Sequence, residues 1–381
     1  MVEEYWRDFW PFGGRTWLNC AHQGPLPKVA AEAAREAIAW KQAPFELTGE
    51  RFSGVPARLR GALARLVNAP EEEIILGNSA SYGLHLIANG IPWKEGDEVL
   101  VVDGDFPSDV LPWLGLEKRG VSVQRLASRN PLPEPDELAA AITSKTRLFC
   151  TTWVHSFSGY AADLEGLGKV CREHGVLFLV NASQALGARP LDVRSAPVDA
   201  LVSAGFKWLC GPYGTGFCWL RRELLESLEY NQVYWLSSMT AEDLGRPDLE
   251  LELPAGAATG RTYDIFGTAN FFNFTAWTAS VEYLLAKGIE RIAAHDQELV
   301  DRLISGLDRD RYEVASPTSG PSRSTLVFIS HRDRTNNEAV YQKLREEGVY
   351  VAFRLGLLRI GPHLYNTNAD IDRALEILET A

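Results

Sequence analysis

Lys207 is the residue whose surroundings point most directly to covalent chemistry. It lies in the stretch Ser203-Ala204-Gly205-Phe206-Lys207-Trp208, and Gly211, Gly214 and Gly216 follow closely. An amine held between two aromatic residues is poorly placed to be a solvated surface charge. Desolvation lowers an amine's pKa, and a neutral lysine amine forms a Schiff base with a carbonyl compound. The same pattern also suits a lysine that snorkels out of an apolar loop, and this stretch alone does not separate the two. A second stretch could hold an anion. Glu73-Ile74-Ile75-Leu76 reads as a strand, breaks into Gly77-Asn78-Ser79-Ala80-Ser81-Tyr82-Gly83, and reopens as an apolar helix from Leu84 to Ala88. Free backbone N–H groups, a helix dipole and a hydroxyl converge at such a junction, although a plain serine N-cap has the same sequence.

The elements that must position these groups alternate along the chain. Strands are expected at 98–102, 121–125, 147–152, 176–180, 199–203 and 216–220, with helices at 28–41, 56–67, 136–142 and 163–174. That rhythm predicts an α/β unit with a mostly parallel sheet flanked by helices. Ligands of such sheets bind beyond the carboxyl ends of the strands. The loops to inspect are therefore Gly104-Asp105-Phe106-Pro107-Ser108, Trp153-Val154-His155-Ser156-Phe157-Ser158-Gly159 and Asn181-Ala182-Ser183-Gln184. His155 reads equally as an acid or base beside a ligand and as a hydrogen-bonded wall residue. His22 and His363 sit among small residues and prolines and are expected at a pocket mouth. Residues 221–270 read as irregular, with a helix near 275–287. The tail adds helices near 290–305, 335–347 and 369–379 and strands near 324–330 and 356–360, a smaller α+β unit. The segment Phe271-Phe272-Asn273-Phe274 reads as core or dimer interface.

Composition removes several function classes. A formal net charge of −12 over 381 residues argues against general binding to nucleic acid or to anionic membranes. The five cysteines are scattered and form no CxxC pair, which fits a reduced chain with neither a disulfide framework nor a zinc site. The N-terminus has no basic and apolar leader pattern, no stretch is long enough to span a bilayer, and a cytoplasmic location is expected. HExxH and GxxxxGK[ST] motifs are absent, so no metal site is expected.

The ordered series Ser-Ala-Ser (79–81), Asp-Phe-Pro-Ser (105–108), Asn-Ala-Ser-Gln (181–184), Phe-Lys with Gly-Pro-x-Gly-x-Gly (206–216), Gly-Thr (267–268), Leu-Arg-Ile (358–360) and Tyr-Asn-Thr-x-x-Asp-Ile (365–371) resembles the class V aminotransferases, a family of pyridoxal phosphate enzymes. That family includes cysteine desulfurases, kynureninases and isopenicillin N epimerase-like proteins. The resemblance implies a type I pyridoxal-phosphate-dependent transferase fold. A large cofactor-binding domain would span 15–289, and a smaller α+β domain would combine 1–14 with 290–381. It also implies a homodimer with shared active sites, and a small amino acid-like substrate. Carried over by position, Lys207 would hold the cofactor; Ala80, Ser81 and Ser203 would bind its phosphate, joined by Thr268 from the partner subunit. Phe106 would stack on the ring where the family has a histidine, which keeps the aromatic face and loses any acid–base role. Gln184 would bond the phenolic oxygen, and Ser156 takes a position often held by asparagine. Arg359 would pair with the substrate carboxylate, with Arg354 as a second candidate and His155 beside them.

Two departures from the family pattern stand out. Asn181 occupies the position of the aspartate that pairs with the pyridine nitrogen, and the lost charge-assisted hydrogen bond is worth ~1.5–3 kcal/mol. No cysteine follows Cys218, so the cysteine that desulfurases carry in the C-terminal half is missing. The expected function is pyridoxal phosphate-dependent aminotransferase, β-lyase or epimerase chemistry, the alternative being a catalytically silent cofactor-binding or structural homologue.

Overall fold

The apolar runs between residues 74 and 220 pair into one seven-stranded sheet. The computed structural model describes residues 4–230, 234–240, 242–249, 251–252, 258–267 and 270–381. The strands are β1 (Ile74–Gly77), β2 (Glu98–Val102), β3 (Ser122–Leu126), β4 (Thr146–Thr152), β5 (Leu177–Asn181), β6 (Ala200–Ala204) and β7 (Gly216–Leu220). Their spatial order is β1-β7-β6-β5-β4-β2-β3. Only β7 runs against its neighbours β1 and β6; the other pairs are parallel. A parallel sheet must be covered on both faces. Successive residues of one strand accordingly enter opposite cores: Phe149, Phe178 and Val180 join one cluster, while Leu148, Cys150 and Leu179 join the other. The carboxyl ends of β6, β5, β4 and β2 lie side by side, so the loops that follow them meet over one edge.

Four helices matter to the site: α1 (Lys28–Gln42), α2 (Gly49–Val67), α3 (Ala80–Gly90) and α4 (Pro107–Leu114). The helix expected over 56–67 begins at Gly49, because Pro56 is carried inside it and Thr48 caps its true start by accepting from the Arg51 N–H. The helix expected from Leu84 starts at Ala80, where the Ser79 hydroxyl accepts from the Tyr82 N–H at 3.2 Å. The loop after β2 turns into α4 one residue past Phe106: Pro107 takes the first helical position, where its missing N–H costs nothing.

The C-terminal unit is a four-stranded antiparallel sheet of β8 (Tyr312–Val314), β9 (Val327–His331), β10 (Ala352–Arg354) and β11 (Leu357–Ile360), ordered β10-β11-β9-β8. Its core joins Tyr312, Val327, Ile329, Leu358 and Ile360 to Leu299 and Leu303 of the helix Ile289–Gly306 and to Ile371 of the helix Asn368–Thr380. The register pairs Ala352 with Arg359 and Arg354 with Leu357, so the period of two puts Arg354 and Arg359 on one face of the β10–β11 hairpin. Near the N-terminus, Thr16 and Trp17 pair with Val349 and Tyr350, and Asn19 bridges to Gly361. Among the described residues no helix is long and apolar enough to cross a membrane.

Candidate active site

The Lys207 loop leaves β6 and is held from below by the N-terminal segment. The Gly24 N–H donates to the Phe206 carbonyl at 2.9 Å, and a Cβ on residue 24 would stand 2.3 Å from the Lys207 carbonyl oxygen, so only glycine passes there. Trp208 is fully buried, and its indole N–H donates to Gln184 Oε1 at 3.1 Å. With Trp208 anchored in the core, the Lys207 side chain between the two aromatics turns toward the sheet edge. Its Nζ lies 5.7 Å from the centre of the Phe106 ring and 5.9 Å from that of Phe206. Burial, reinforced by the Arg359 charge, pulls the amine down to about 8, while Asp109 pulls the other way. Lys207 is half-buried, and the downward direction suits the desolvated reading better than the snorkelling one.

Above the amine stands a cationic group. Arg359 is 4% exposed; Nη1 donates to the Ser156 carbonyl at 3.3 Å and Nε has no partner. Burial and the neighbouring Arg354 hold its pKa down to about 10. Arg354 bonds only the Phe353 carbonyl, at 2.8 Å. Among the described residues neither guanidinium has a carboxylate partner. His22 faces the same group: burial first, then Arg354, Arg359 and Lys207, lower its pKa.

The far wall is built from the loops after β2, β4 and β5. Phe106 is 39% exposed and stacks on Phe157 with ring centres 6.0 Å apart. His155 is tied on both sides, Nδ1 to the Ser158 hydroxyl at 2.9 Å and Nε2 to the Gly104 carbonyl at 3.2 Å, and burial keeps it neutral. Both ring nitrogens are thus engaged within the protein. Asn181 ends β5, donating from Nδ2 to Asp109 Oδ1 at 2.7 Å and accepting at Oδ1 from the Ser183 N–H at 3.0 Å. Gln184 donates from Nε2 to the Ala21 carbonyl at 3.1 Å, leaving one amide proton free. Ser203 is buried on β6 and donates to the Ala204 carbonyl at 3.3 Å.

Ala80 and Ser81 open α3, whose first-turn N–H groups have no helical partners. Gly216 packs against this cap: a Cβ there would lie 2.4 Å from the Ser79 carbonyl carbon, which brings the end of the Lys207 loop onto the helix start. Thr268 lies outside the described residues. His363 does not line a pocket mouth, as expected of it; it is fully buried beneath the loop, Nδ1 on Asp296 at 2.7 Å and Nε2 on the Trp208 carbonyl at 3.0 Å. Asp105 and Asp109 went unnoticed in the sequence. Their signal was two acids on the first post-strand loop, either side of a helix-opening proline.

A family model described as aminotransferase class-V matches residues 46–373. The chain belongs to the class-V aminotransferases. It is 30% identical over 343 residues to a probable cysteine desulfurase of Methanothermobacter thermautotrophicus, covering 84% of this chain and 82% of that one. Isopenicillin N epimerase of Streptomyces clavuligerus is 28% identical over 377 residues, covering 95% and 94%. A solved cystine C-S lyase, C-DES, in complex with its product cysteine persulfide superposes with a TM-score of 0.86 at 25% identity, covering 96% of this chain and 97% of that one. This class-V chain is a pyridoxal phosphate-dependent enzyme of aminotransferase, lyase or epimerase chemistry. The donor set fits that cofactor: unbonded N–H groups at the start of α3 for a phosphate, a desolvated amine for an aldehyde, and an aromatic face at Phe106.

Proposed function

We propose that this chain is a β-lyase for a small amino acid, with Lys207 holding the cofactor and moving the Cα proton. The observation that carries this reading is the unpaired cationic group: a buried Arg359 with no carboxylate partner, beside an amine held near 8. A ligand carboxylate answers that arrangement, because a guanidinium binds it in bidentate fashion and gains most where water is excluded. Bound pyridoxal phosphate supplies an electrophilic carbon and a ring that accepts the Cα electron pair. Arg359 fixes the substrate by its carboxylate, with Arg354 on the same hairpin face, so that the Cα hydrogen is presented to Lys207. With its pKa near 8, the Lys207 amine is partly neutral near pH 7.5; it takes the proton at Nζ and can return it to the leaving group. Phe106 covers the ring, and His155, neutral and doubly bonded, keeps the wall closed.

The lyase outcome is preferred because all five cysteines are buried, so none is available as a sulfur carrier, and the group lost from Cβ must pass directly to solvent. Ala80, Ser81 and Ser203 are proposed for the phosphate, Gln184 for the phenolic oxygen and Ser156 for the pocket wall. A homodimer fits the exposed aromatics Phe52, Tyr213, Phe266 and Phe272, two of which flank the 267–270 segment; a sedimentation mass of a single chain removes it. The test is product analysis of purified enzyme supplied with cystine, O-acetylserine or β-chloroalanine, together with borohydride reduction and peptide mapping. Pyruvate release and a pyridoxyl label on Lys207 are expected. A label on another lysine, or Cα inversion without pyruvate, overturns the assignment.

A further inference from the structure

The carboxyl missing from position 181 stands one hydrogen bond away; burial and the neighbouring Asp105 push its pKa well above the ordinary carboxylate value, and a cationic donor at its free oxygen would bring it back down. Asp109, in the first turn of α4, is 1% exposed, and its Oδ1 accepts from Asn181 Nδ2 at 2.7 Å. The Asn181 amide cannot turn over, because its own Oδ1 is held by the Ser183 N–H at 3.0 Å. Asp109 Oδ2 is buried and has no hydrogen-bond partner among the described residues. The neighbouring acid is not in the same condition: Asp105 accepts from the Phe106 N–H at 2.7 Å and from the Thr152 N–H at 3.0 Å. One buried carboxylate oxygen is thus left for a donor that the protein does not provide. Phe106, three residues before Asp109, lies under the Lys207 amine, and the Asp109 charge is felt at Lys207. The orphaned oxygen therefore belongs to this pocket.

We propose that Asp109, oriented by Asn181, is the charge partner of the cofactor's ring nitrogen and keeps a proton on it. This rests on the pyridoxal phosphate reading above. A protonated ring nitrogen is an N–H donor bearing positive charge, which is what a buried carboxylate oxygen without a donor requires. The carboxylate that the family resemblance places at the end of β5 is in this chain moved to the start of α4, and the amide left behind becomes its positioning residue. The ring then remains a full electron acceptor, contrary to what Asn181 alone implies.

The experiment uses the whole protein loaded with pyridoxal phosphate labelled with 15N at the ring nitrogen. The wild type is compared with Asp109→Asn, Asn181→Asp and the exchange Asp109→Asn/Asn181→Asp. The readouts are the 15N shift near pH 7.5 and the cofactor dissociation constant. The wild type should give a protonated nitrogen. Asp109→Asn should lose that signal and bind the cofactor about tenfold more weakly, as for a lost charge-assisted hydrogen bond. The exchange should recover both, because it returns one carboxylate to the pair; the discriminating result is the loss of ring protonation in folded Asp109→Asn, which a purely structural role for Asp109 would not produce. An unprotonated nitrogen in the wild type, or a protonated one in Asp109→Asn, overturns the inference. Should Asp109→Asn fail to fold, Asp109→Ser takes its place with the same two readouts: loss of ring protonation supports the inference and a ring that stays protonated overturns it. Uptake of no cofactor by the wild type removes the reading beneath it as well, while uptake with an unprotonated ring removes this inference alone.

Discussion

Two sets of ionisable groups lie on opposite sides of the Lys207 loop, and the fold treats them in opposite ways. Beneath the loop, His363 and Asp296 are both wholly buried and 2.7 Å apart. Burial opposes charge on the imidazole, but Asp296 outweighs it and raises His363 to about 10. The second ring nitrogen is spent on the Trp208 carbonyl, so the imidazole is bonded on both sides and ties the C-terminal unit to the lysine loop, although Asp296 Oδ1 has no partner among the described residues. Above the loop, Lys207, Arg354, Arg359 and His22 crowd together, the two guanidiniums without a carboxylate partner among the described residues, and burial and neighbouring positive charge pull Lys207 to about 8 and Arg359 to about 10. Paired charge builds a platform; charge left without a partner is kept for something that arrives from outside.

The largest effect should come from opening the closed set. Asp296→Asn leaves the His363 imidazole buried without its counter-charge, and removing one partner of a buried pair costs ~3–5 kcal/mol. Denaturant unfolding of the apoprotein measures it, and a loss below ~1 kcal/mol would mean that the pair does not carry the loop. In the open set, Arg359→Lys keeps the charge and loses the fork. The substrate KM should rise ~10- to 100-fold, as expected for a charge-assisted bond, with little change in kcat. A fall in kcat at constant KM would place Arg359 on the reacting atoms instead of the carboxylate.

The smallest effect is a slope. In the folded apoprotein the Lys207 pKa of about 8 lies below the ordinary lysine value of 10.5, so the unfolded chain binds the extra proton between those values. Stability must therefore rise with pH across that window, by at most ~1.4 kcal/mol per pH unit for one proton. Lys207→Met should be more stable than the wild-type apoprotein below pH 8, and the difference should shrink toward pH 10.5. Parallel stability curves for the two proteins would show that the amine is not desolvated by the fold.

Much of this layout is legible in the chain. Alternating apolar runs and polar post-strand loops mark the sheet and its ligand edge, and the Phe-Lys-Trp triplet marks the amine. The late start expected for α2 has a plain cause: proline reads as a boundary, yet Pro56 is carried inside that helix. His363 was misplaced because nothing near it in sequence announces Asp296, which arrives from a helix 67 residues away. Asp109 escaped notice for the same reason, since its partner Asn181 is 72 residues distant.

What the sequence determined by itself is the set of local decisions: which runs become strands, where Ser79 caps a helix, and that an amine, an anion-binding turn and arginines occur in a family-like order. These follow from side-chain periodicity and backbone preference over a few residues. Only the tertiary structure decided which charges meet a partner. Arg359 and His363 are both buried, yet among the described residues the guanidinium has no carboxylate partner while the imidazole faces Asp296. A charge in a low-dielectric interior is governed by the few groups within several ångströms of it, and those neighbours are set by folding, not by proximity along the chain.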